Sequence, residues 1–158
     1  MKSITQQLIE ASNGILNEIP EVRDETRHYT MADDGGVEHQ VGMFLYGLVK
    51  ILQPVAILET GTYSGISSMY MAAALQDNGH GGLQTLEYEK VHKDRAERLW
   101  QATGVKPYVS CQLISSLDFQ TNGEFDLIFL DSEPQIRFAE LVKFYPNLKE
   151  GGYIGIHD

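Results

Sequence analysis

Short apolar runs alternate with amphipathic stretches from residue 55 to the end of the chain. The runs are rich in branched residues, which is typical of strands that are buried on both faces of a sheet. The stretches between them carry apolar residues at helical spacing and end at glycine turns. The pattern predicts strands at residues 55–59, 83–88, 108–114, 125–130 and 153–156, and helices from residue 64 or 65 to the turn at 78–79, at 90–103 and at about 135–148.

An alternation of strands and helices implies right-handed crossovers and a parallel sheet that helices cover on both faces. The predicted fold class is therefore α/β, with a doubly wound, mostly parallel sheet in residues 55–158. Residues 1–54 precede this unit and contain two predicted helices, at about 3–18 and 37–52. The polar segment between these helices, residues 18–36, has no clear period and is either a mobile lid or a disordered linker.

Composition and charge narrow the class of protein. The chain has 158 residues, 42% hydrophobic and 22% charged, which is typical of one globular domain. Its net charge of −10 disfavours a nucleic-acid partner, since such binding relies on basic side chains. No apolar run approaches the roughly 20 residues of a membrane span, and the first residues lack the apolar centre of a signal peptide. We therefore expect a cytoplasmic protein with no membrane partner, and an inert thiol at Cys111, the only cysteine.

The stretch LETGTYSGISS, residues 58–68, follows the first predicted strand and contains Gly61 and Gly65. Ligands in doubly wound sheets bind outside the carboxyl ends of the strands, where the following helix directs free N–H groups at an anionic group. The glycine spacing differs from the Gly-x-Gly-x-x-Gly of dinucleotide binders, so a pyrophosphate is disfavoured. Glu87 ends the second strand, near the position, about 20 residues further on, where related folds place an acid for ribose hydroxyls. Together these features favour a nucleoside ligand.

These segments give the chain a resemblance to a known family. ILETGTYSGISS resembles the first motif of class I S-adenosylmethionine-dependent methyltransferases, of the small-molecule O-methyltransferase type. LQTLEYE resembles the second motif, and EFDLIFLD and LKEGGYIGIHD resemble the fourth and fifth strands with their lead-in turns. The resemblance covers residues 37–158 and implies a Rossmann-like methyltransferase fold that binds S-adenosylmethionine.

The resemblance also implies roles for individual residues. It places the ribose on Glu87, with Glu89 ranked second, and the adenine near Ser115 or Ser116. Five residues would surround the methionine end of the cofactor: Glu59, Gly61, Tyr63, Gly65 and Ser67.

Methyl transfer to oxygen needs an acceptor hydroxyl that is aligned and deprotonated, by a general base or by a metal that lowers its pKa. Asp131 and Asp158 close the fourth and fifth strands. Neighbouring strands lie about 4.8 Å apart, so both carboxylates could reach one hard cation such as Mg²⁺. This arrangement resembles the metal-dependent catechol, caffeoyl-CoA and macrocin-type enzymes, with His157 as a further candidate ligand.

The chain departs from those enzymes at two places. Catechol-type enzymes place a lysine shortly after the metal-binding aspartate, where this chain has Pro134. Macrocin-type enzymes use an acid two residues after the aspartate, so we predict Glu133 as the general base, beside Asp131. The family pattern at the fifth strand is Asp-Asn or Asp-Asp, whereas this chain has His157 before Asp158, and imidazole is a poor ligand for Mg²⁺.

The leading hypothesis is an S-adenosylmethionine-dependent methyltransferase that acts on a hydroxyl of a small-molecule acceptor. The first alternative is a cofactor-binding module without catalysis. The second is an aminopropyltransferase, which ranks lower because such an enzyme should carry further acids where this chain has SEPQIRF.

The family fold continues past the fifth strand with another helix and two more strands, whereas this chain stops at Asp158. The fifth strand is therefore expected to be an open sheet edge, which is prone to pairing with another chain. Either the chain is a fragment, or a second subunit of a homo-oligomer covers that edge.

Overall fold

The computed structural model describes residues 1–24, 27–33 and 35–157, so the predicted metal ligand Asp158 lies outside the described residues. The first helix, α1, spans Ile4–Ala11. Its N-cap is Ser3, whose side chain accepts a hydrogen bond from the backbone N–H of Gln6 in a capping box. It is shorter than the predicted helix at 3–18. The reason is a turn in which Asn13 and Gly14 adopt positive φ angles of 52° and 84°, which a right-handed helix cannot contain.

The polar segment between the first two helices forms an antiparallel hairpin. Its strands are β1, Ile19–Asp24, and β2, Arg27–Met31, with Ile19 opposite Met31. A disordered linker is therefore wrong for these strands, whereas a lid stays a prediction. A two-stranded ribbon satisfies its backbone hydrogen bonds across the pair without an apolar face of its own, so its sequence shows no alternation.

Helix α2, His39–Leu52, packs against α3, Ile66–Asn78, close to the predicted positions of both helices. The two helices approach closely at Gly42, where an added Cβ would overlap the ring of Tyr70. The Tyr70 hydroxyl lies 2.9 Å from Nδ1 of His39 and donates to Oγ1 of Thr5 over 2.9 Å. This buried chain of side chains ties α1, α2 and α3 together.

Five parallel strands form the main sheet: β3, Ala56–Thr60; β4, Gly82–Glu87; β5, Val109–Leu113; β6, Phe125–Leu130; and β7, Leu148–Ile156. The helices that complete the layers are α4, Lys90–Thr103, and α5, Arg137–Phe144. The strand order is β5-β4-β3-β6-β7. Successive side chains of a strand point to opposite faces, so Ile57 and Leu58 enter two separate apolar clusters, one under α2, α3 and α4 and one under α5. The predicted doubly wound α/β fold is therefore confirmed.

The last strand is longer than the sequence indicates. We predicted a turn at Gly151-Gly152 and a strand from residue 153, but β7 already begins at Leu148. The pairing with β6 is irregular there, with Phe125 opposite Leu148 and Leu127 opposite Tyr153. Gly151, at φ 78°, accommodates this bulge inside the strand.

The helix before β7 is shorter than predicted, since α5 ends at Phe144 and a 3-10 turn at Tyr145–Asn147 contains Pro146. Strand β7 pairs with β6 alone and lies at an edge of the sheet. The homo-oligomer expected to cover this edge stays a prediction. In residues 1–24, 27–33 and 35–157, no helix is both long enough and apolar enough to cross a bilayer.

Candidate functional site

Two neighbouring cavities open at the carboxyl ends of the strands, where the strand order reverses between β3 and β6. Open α/β sheets bind ligands at such a switch point. The larger cavity has a volume of about 640 Å³ and the smaller one about 330 Å³. Three residues line both of them: Gly35, Asp131 and Ser132. The two cavities therefore meet at the end of β6.

The loop after β3 forms one wall of the larger cavity. Gly61 has φ 81°, and an added Cβ would overlap the backbone carbonyl of Asp131. The loop therefore touches the end of β6 through backbone atoms alone. Tyr63 also has a positive φ, 45°, which is uncommon for a residue with a side chain.

Glu87 fixes this loop from the end of β4. Its side chain is only 4% exposed. Its Oε2 accepts the backbone N–H of Tyr63 at 2.8 Å, and its Oε1 accepts the backbone N–H of Glu89 at 2.9 Å. The ring of His92 packs edge-on against Tyr63, with centroids 4.7 Å apart. Glu87 therefore lines the cavity as a carboxylate in a fixed orientation.

Glu59 lies behind the loop rather than on the cavity wall. It is completely buried and accepts hydrogen bonds from Ser67, at 2.6 Å, and from Ser68. Burial raises the pKa of Glu59 to about 7, against the lowering effect of the hydrogen bonds from Ser67 and Ser68. Glu59 and Ser67 therefore hold the start of α3 onto the end of β3.

Gly65 also lies outside both cavities. An added Cβ would lie 2.7 Å from Cβ of Ala96 and 2.8 Å from Nε1 of Trp100 on α4. Its carbonyl accepts the Trp100 indole N–H at 2.9 Å. Gly65 therefore allows α3 to pack closely against α4.

The structure thus divides the predicted cofactor residues into two groups. Glu59, Gly65 and Ser67 support the loop from behind. Five others line the larger cavity: Gly61, Tyr63, Glu87, Ser115 and Ser116.

Several residues of the larger cavity were missed from the sequence. Tyr88, directly after Glu87, donates through its hydroxyl to Oε1 of Glu133 at 3.1 Å, so the two side chains bridge the cavity between β4 and β6. Its position directly after Glu87, the predicted ribose acid, was the signal that could have identified it. The other missed residues come from several elements: Gly35, Leu86, His92, Ile114, Leu117, Ser132 and Ile136.

The two predicted catalytic acids differ in which cavities they line. Asp131 lies at the junction of the cavities, and its Oδ1 is 2.9 Å from Nδ1 of His157. The other ring nitrogen of His157 lies 3.4 Å from Oε2 of Glu38, at the start of α2. Glu133 is exposed and lines only the larger of the two cavities. Its carboxylate accepts hydrogen bonds from the side chains of Tyr88 and Gln135.

The smaller cavity has walls from three distant parts of the chain. Glu38 comes from the start of α2, His157 follows β7, and Arg137 begins α5. The Arg137 guanidinium donates to the backbone carbonyl of Ser132. None of the local sequence motifs indicated Glu38 or Arg137 as site residues, because only the tertiary fold brings them to the end of β6.

A buried acid holds the loop after β6. Glu140 of α5 accepts hydrogen bonds through Oε2 from Oγ1 of Thr60, at 3.1 Å, and from Oγ of Ser132, at 2.6 Å. Glu140 is fully buried. It therefore fixes Ser132, which lines both cavities, against the end of β3.

The segment before α2 covers the loop after β3. Gly35 lies against the ring of Tyr63, where an added Cβ would be 3.5 Å from the ring. Asp33 forms an ion pair with Arg95 of α4 at 2.7 Å and accepts a hydrogen bond from Oγ of Ser64 at 3.4 Å. These contacts place the N-terminal segment over the site.

Residues 58–158 match a family described as Methyltransferase domain, and the chain belongs to that family. A catechol O-methyltransferase of Niastella koreensis is 35% identical over 98 residues, covering 58% of this chain and 43% of that protein. A relative from Mycobacterium sp. (strain KMS), whose name assigns it to the O-methyltransferases, is 26% identical over 127 residues, covering 78% of this chain and 57% of the relative. The chain therefore spans about half the length of the curated relatives it matches.

Among solved structures, the O-methyltransferase from Bacillus cereus in complex with SAH is similar, with a TM-score of 0.69 at 27% identity. The similarity covers 77% of this chain and 57% of that chain. The methyltransferase family inferred from the four motifs is confirmed.

Proposed function

We propose that the protein is an S-adenosylmethionine-dependent O-methyltransferase that acts on a small hydroxylated molecule. The observation that carries this proposal is the meeting of two cavities at Asp131, one with the features of a nucleoside site and one of a size for a small acceptor. Under this proposal, residues 55–158 hold the cofactor and residues 1–54 cover the acceptor.

The larger cavity fits the cofactor in chemistry and size. Its volume of about 640 Å³ lies within the usual range of ligand pockets, about 300–1,000 Å³. The fixed carboxylate of Glu87 would accept hydrogen bonds from the ribose hydroxyls, and Gly61 leaves room for close approach at the loop. Leu86, Ile114 and Leu117 give the far wall the apolar lining that an adenine ring needs. When bound, S-adenosylmethionine supplies an electrophilic methyl group on a positively charged sulfur.

The described residues do not fit the Mg²⁺ site implied by the family. Oδ1 of Asp131 contacts the imidazole of His157, and imidazole is a poor ligand for Mg²⁺. Within the parts of the chain that the structure describes, no three His, Cys, Asp or Glu side chains converge on a common point as metal ligands do. The steps proposed below therefore use only the chain's own residues.

Asp131 is the group best placed to accept the proton of the acceptor hydroxyl, because among the acids that the structure describes it alone lines both cavities. His157 orients its carboxylate through the 2.9 Å contact. The hydroxyl oxygen, once its proton has passed to Asp131, would be the nucleophile for the methyl group that the cofactor would supply. Glu133, the base predicted from the sequence, remains a second candidate, and its bond to Tyr88 would have to open first.

Calorimetric titration with S-adenosylhomocysteine tests the cofactor site. We expect binding by the unaltered chain and a loss of about 100-fold or more in Glu87→Ala, because the mutant lacks both the ribose acceptor and the anchor of the loop. Glu89→Ala is the matched control, since its side chain lines neither cavity. Transfer of labelled methyl groups to a panel of phenols and alcohols then tests the reaction. Binding without transfer to any acceptor would favour the non-catalytic module, and no binding by folded protein would contradict the proposal.

A further inference from the structure

Arg137 forms no ion pair with any residue that the structure describes. Its guanidinium lines the smaller cavity and donates to the backbone carbonyl of Ser132, and among the described residues it makes no ion pair. The same structure pairs Arg95 with Asp33 at 2.7 Å and Lys149 with Asp126 at 2.8 Å. An unpaired cation is unexpected in a chain with a net charge of −10.

The surroundings of Arg137 make this isolation costly. The side chain is partly buried, and its Nε is inaccessible to solvent and has no hydrogen-bond partner. A buried donor without a partner loses its hydration without compensation. The two acids of the same cavity, Asp131 and Glu38, both face His157 instead. Nε itself is out of reach of a ligand, but an anion that enters the cavity would pair with the part of the guanidinium that lines it.

The guanidinium favours one kind of anion. Its planar set of N–H donors matches the two oxygens of a carboxylate. The cavity volume of about 330 Å³ is at the lower end of the range for ligand pockets, about 300–1,000 Å³, and suits a molecule of about one ring. Arg137 lines the smaller cavity but not the larger one, so it faces the acceptor rather than the cofactor.

We infer that the acceptor is a small hydroxylated carboxylic acid, whose carboxylate pairs with Arg137 while its hydroxyl lies at Asp131. This inference rests on the proposed function for the location of the reaction. Arg137 is then the specificity-determining residue, and Asp131 remains the group that accepts the proton. The charge of the acceptor balances the guanidinium and adds no further group to the reaction.

The test compares acids with their neutral carboxamides. The acceptors are 2-hydroxybenzoate, 3,4-dihydroxybenzoate and mandelate, each paired with its carboxamide, and their binding to the full chain is measured in the presence of saturating S-adenosylhomocysteine. We expect at least one acid to bind about 10- to 100-fold more tightly than its amide, the factor expected of a charge-assisted hydrogen bond. In Arg137→Met this preference should disappear, and Arg137→Lys should restore only part of it because lysine lacks the planar fork.

Arg98→Met is the matched control, because Arg98 is exposed on α4 and lines neither cavity at the strand ends. It should keep the full preference for acids. Equal binding of every acid and its amide, or no binding of any acid, would overturn the inference. A loss of S-adenosylhomocysteine affinity in Arg137→Met would overturn it as well, since Arg137 would then serve the cofactor.

Because the measurement is binding, it is independent of methyl transfer. An acid preference that depends on Arg137, found without turnover, would support the inference about the ligand and count against the proposed reaction. Turnover of acids and amides at equal kcat/KM would do the reverse.

Discussion

The two cavities that meet at Asp131 are built in different ways. The larger cavity takes most of its wall from one continuous strand-loop-helix-strand unit and from the ends of the next two strands, and a sequence motif marks it. The smaller cavity brings together Glu38, Arg137 and His157, which lie far apart along the chain. The difference separates a proposed cofactor site, which local sequence encodes, from a proposed acceptor site, which only the tertiary fold creates.

Gly61→Ala should damage both cavities at once and give the largest effect. The new Cβ would overlap the carbonyl of Asp131 while φ stays at 81°. Gly104→Ala is the matched control, because Gly104 has φ 78° with nothing within 4 Å of an added Cβ. Strain alone costs about 1–2 kcal/mol. Urea unfolding should show Gly61→Ala to be clearly less stable than Gly104→Ala, and cofactor binding should be lost only in Gly61→Ala; equal stabilities would contradict the close approach.

Asp131→Asn should separate the functions of the two cavities. The amide keeps the size of the side chain but cannot accept the proton, so we expect kcat to fall by about 100- to 10,000-fold. Titration with S-adenosylhomocysteine should change little. Glu133→Gln is the parallel variant: if it loses more kcat than Asp131→Asn does, the base predicted from the sequence is the correct one.

Glu59, which lies behind the larger cavity, should make the stability of the fold depend on pH. Its pKa is about 7 in the fold against an ordinary value of 4.5, so the folded chain holds a proton that the unfolded chain releases between these values. Stability from this group is present below pH 4.5 and is lost as the pH rises towards 7, by on the order of 3 kcal/mol. Urea midpoints measured from pH 4.5 to 7.5 should fall less steeply in Glu59→Gln; an unchanged slope would show that Glu59 is already ionised.

Removal of divalent metal should have the smallest effect. The proposed proton transfer to Asp131 uses no metal, so turnover should be unchanged after dialysis against EDTA. Activity that is lost on chelation and restored by Mg²⁺ would show that Asp131 and the undescribed Asp158 bind a cation.

The sequence was sufficient for the sheet because buried parallel strands are nearly continuous apolar runs. FDLIFL became β6 at the predicted residues, Phe125–Leu130. The hairpin β1–β2 was missed because it has no apolar period, and the start of β7 was missed because the glycines of a bulge read as a turn.

For the site, strand-end position correctly brought Gly61, Glu87 and Asp131 together. It did not distinguish residues on the cavity wall from those behind it, such as Glu59. That distinction depends on which way a side chain turns at the end of a strand. Arg137 could not be found from the sequence, because what marks it is the lack of an ion-pair partner among the described residues. Only a folded structure reveals that.

The contact between His157 and Glu38 also bears on the order of folding. It joins the last strand of the sheet to the start of α2, whereas the loop at Gly61 is held by Glu87, a much nearer neighbour in sequence. Closing a longer loop costs more chain entropy, and contacts between distant residues form later. A folding chain should therefore form the loop of the proposed cofactor site before the proposed acceptor pocket, and an intermediate that lacks β7 should already hold that loop without the contact between His157 and Glu38.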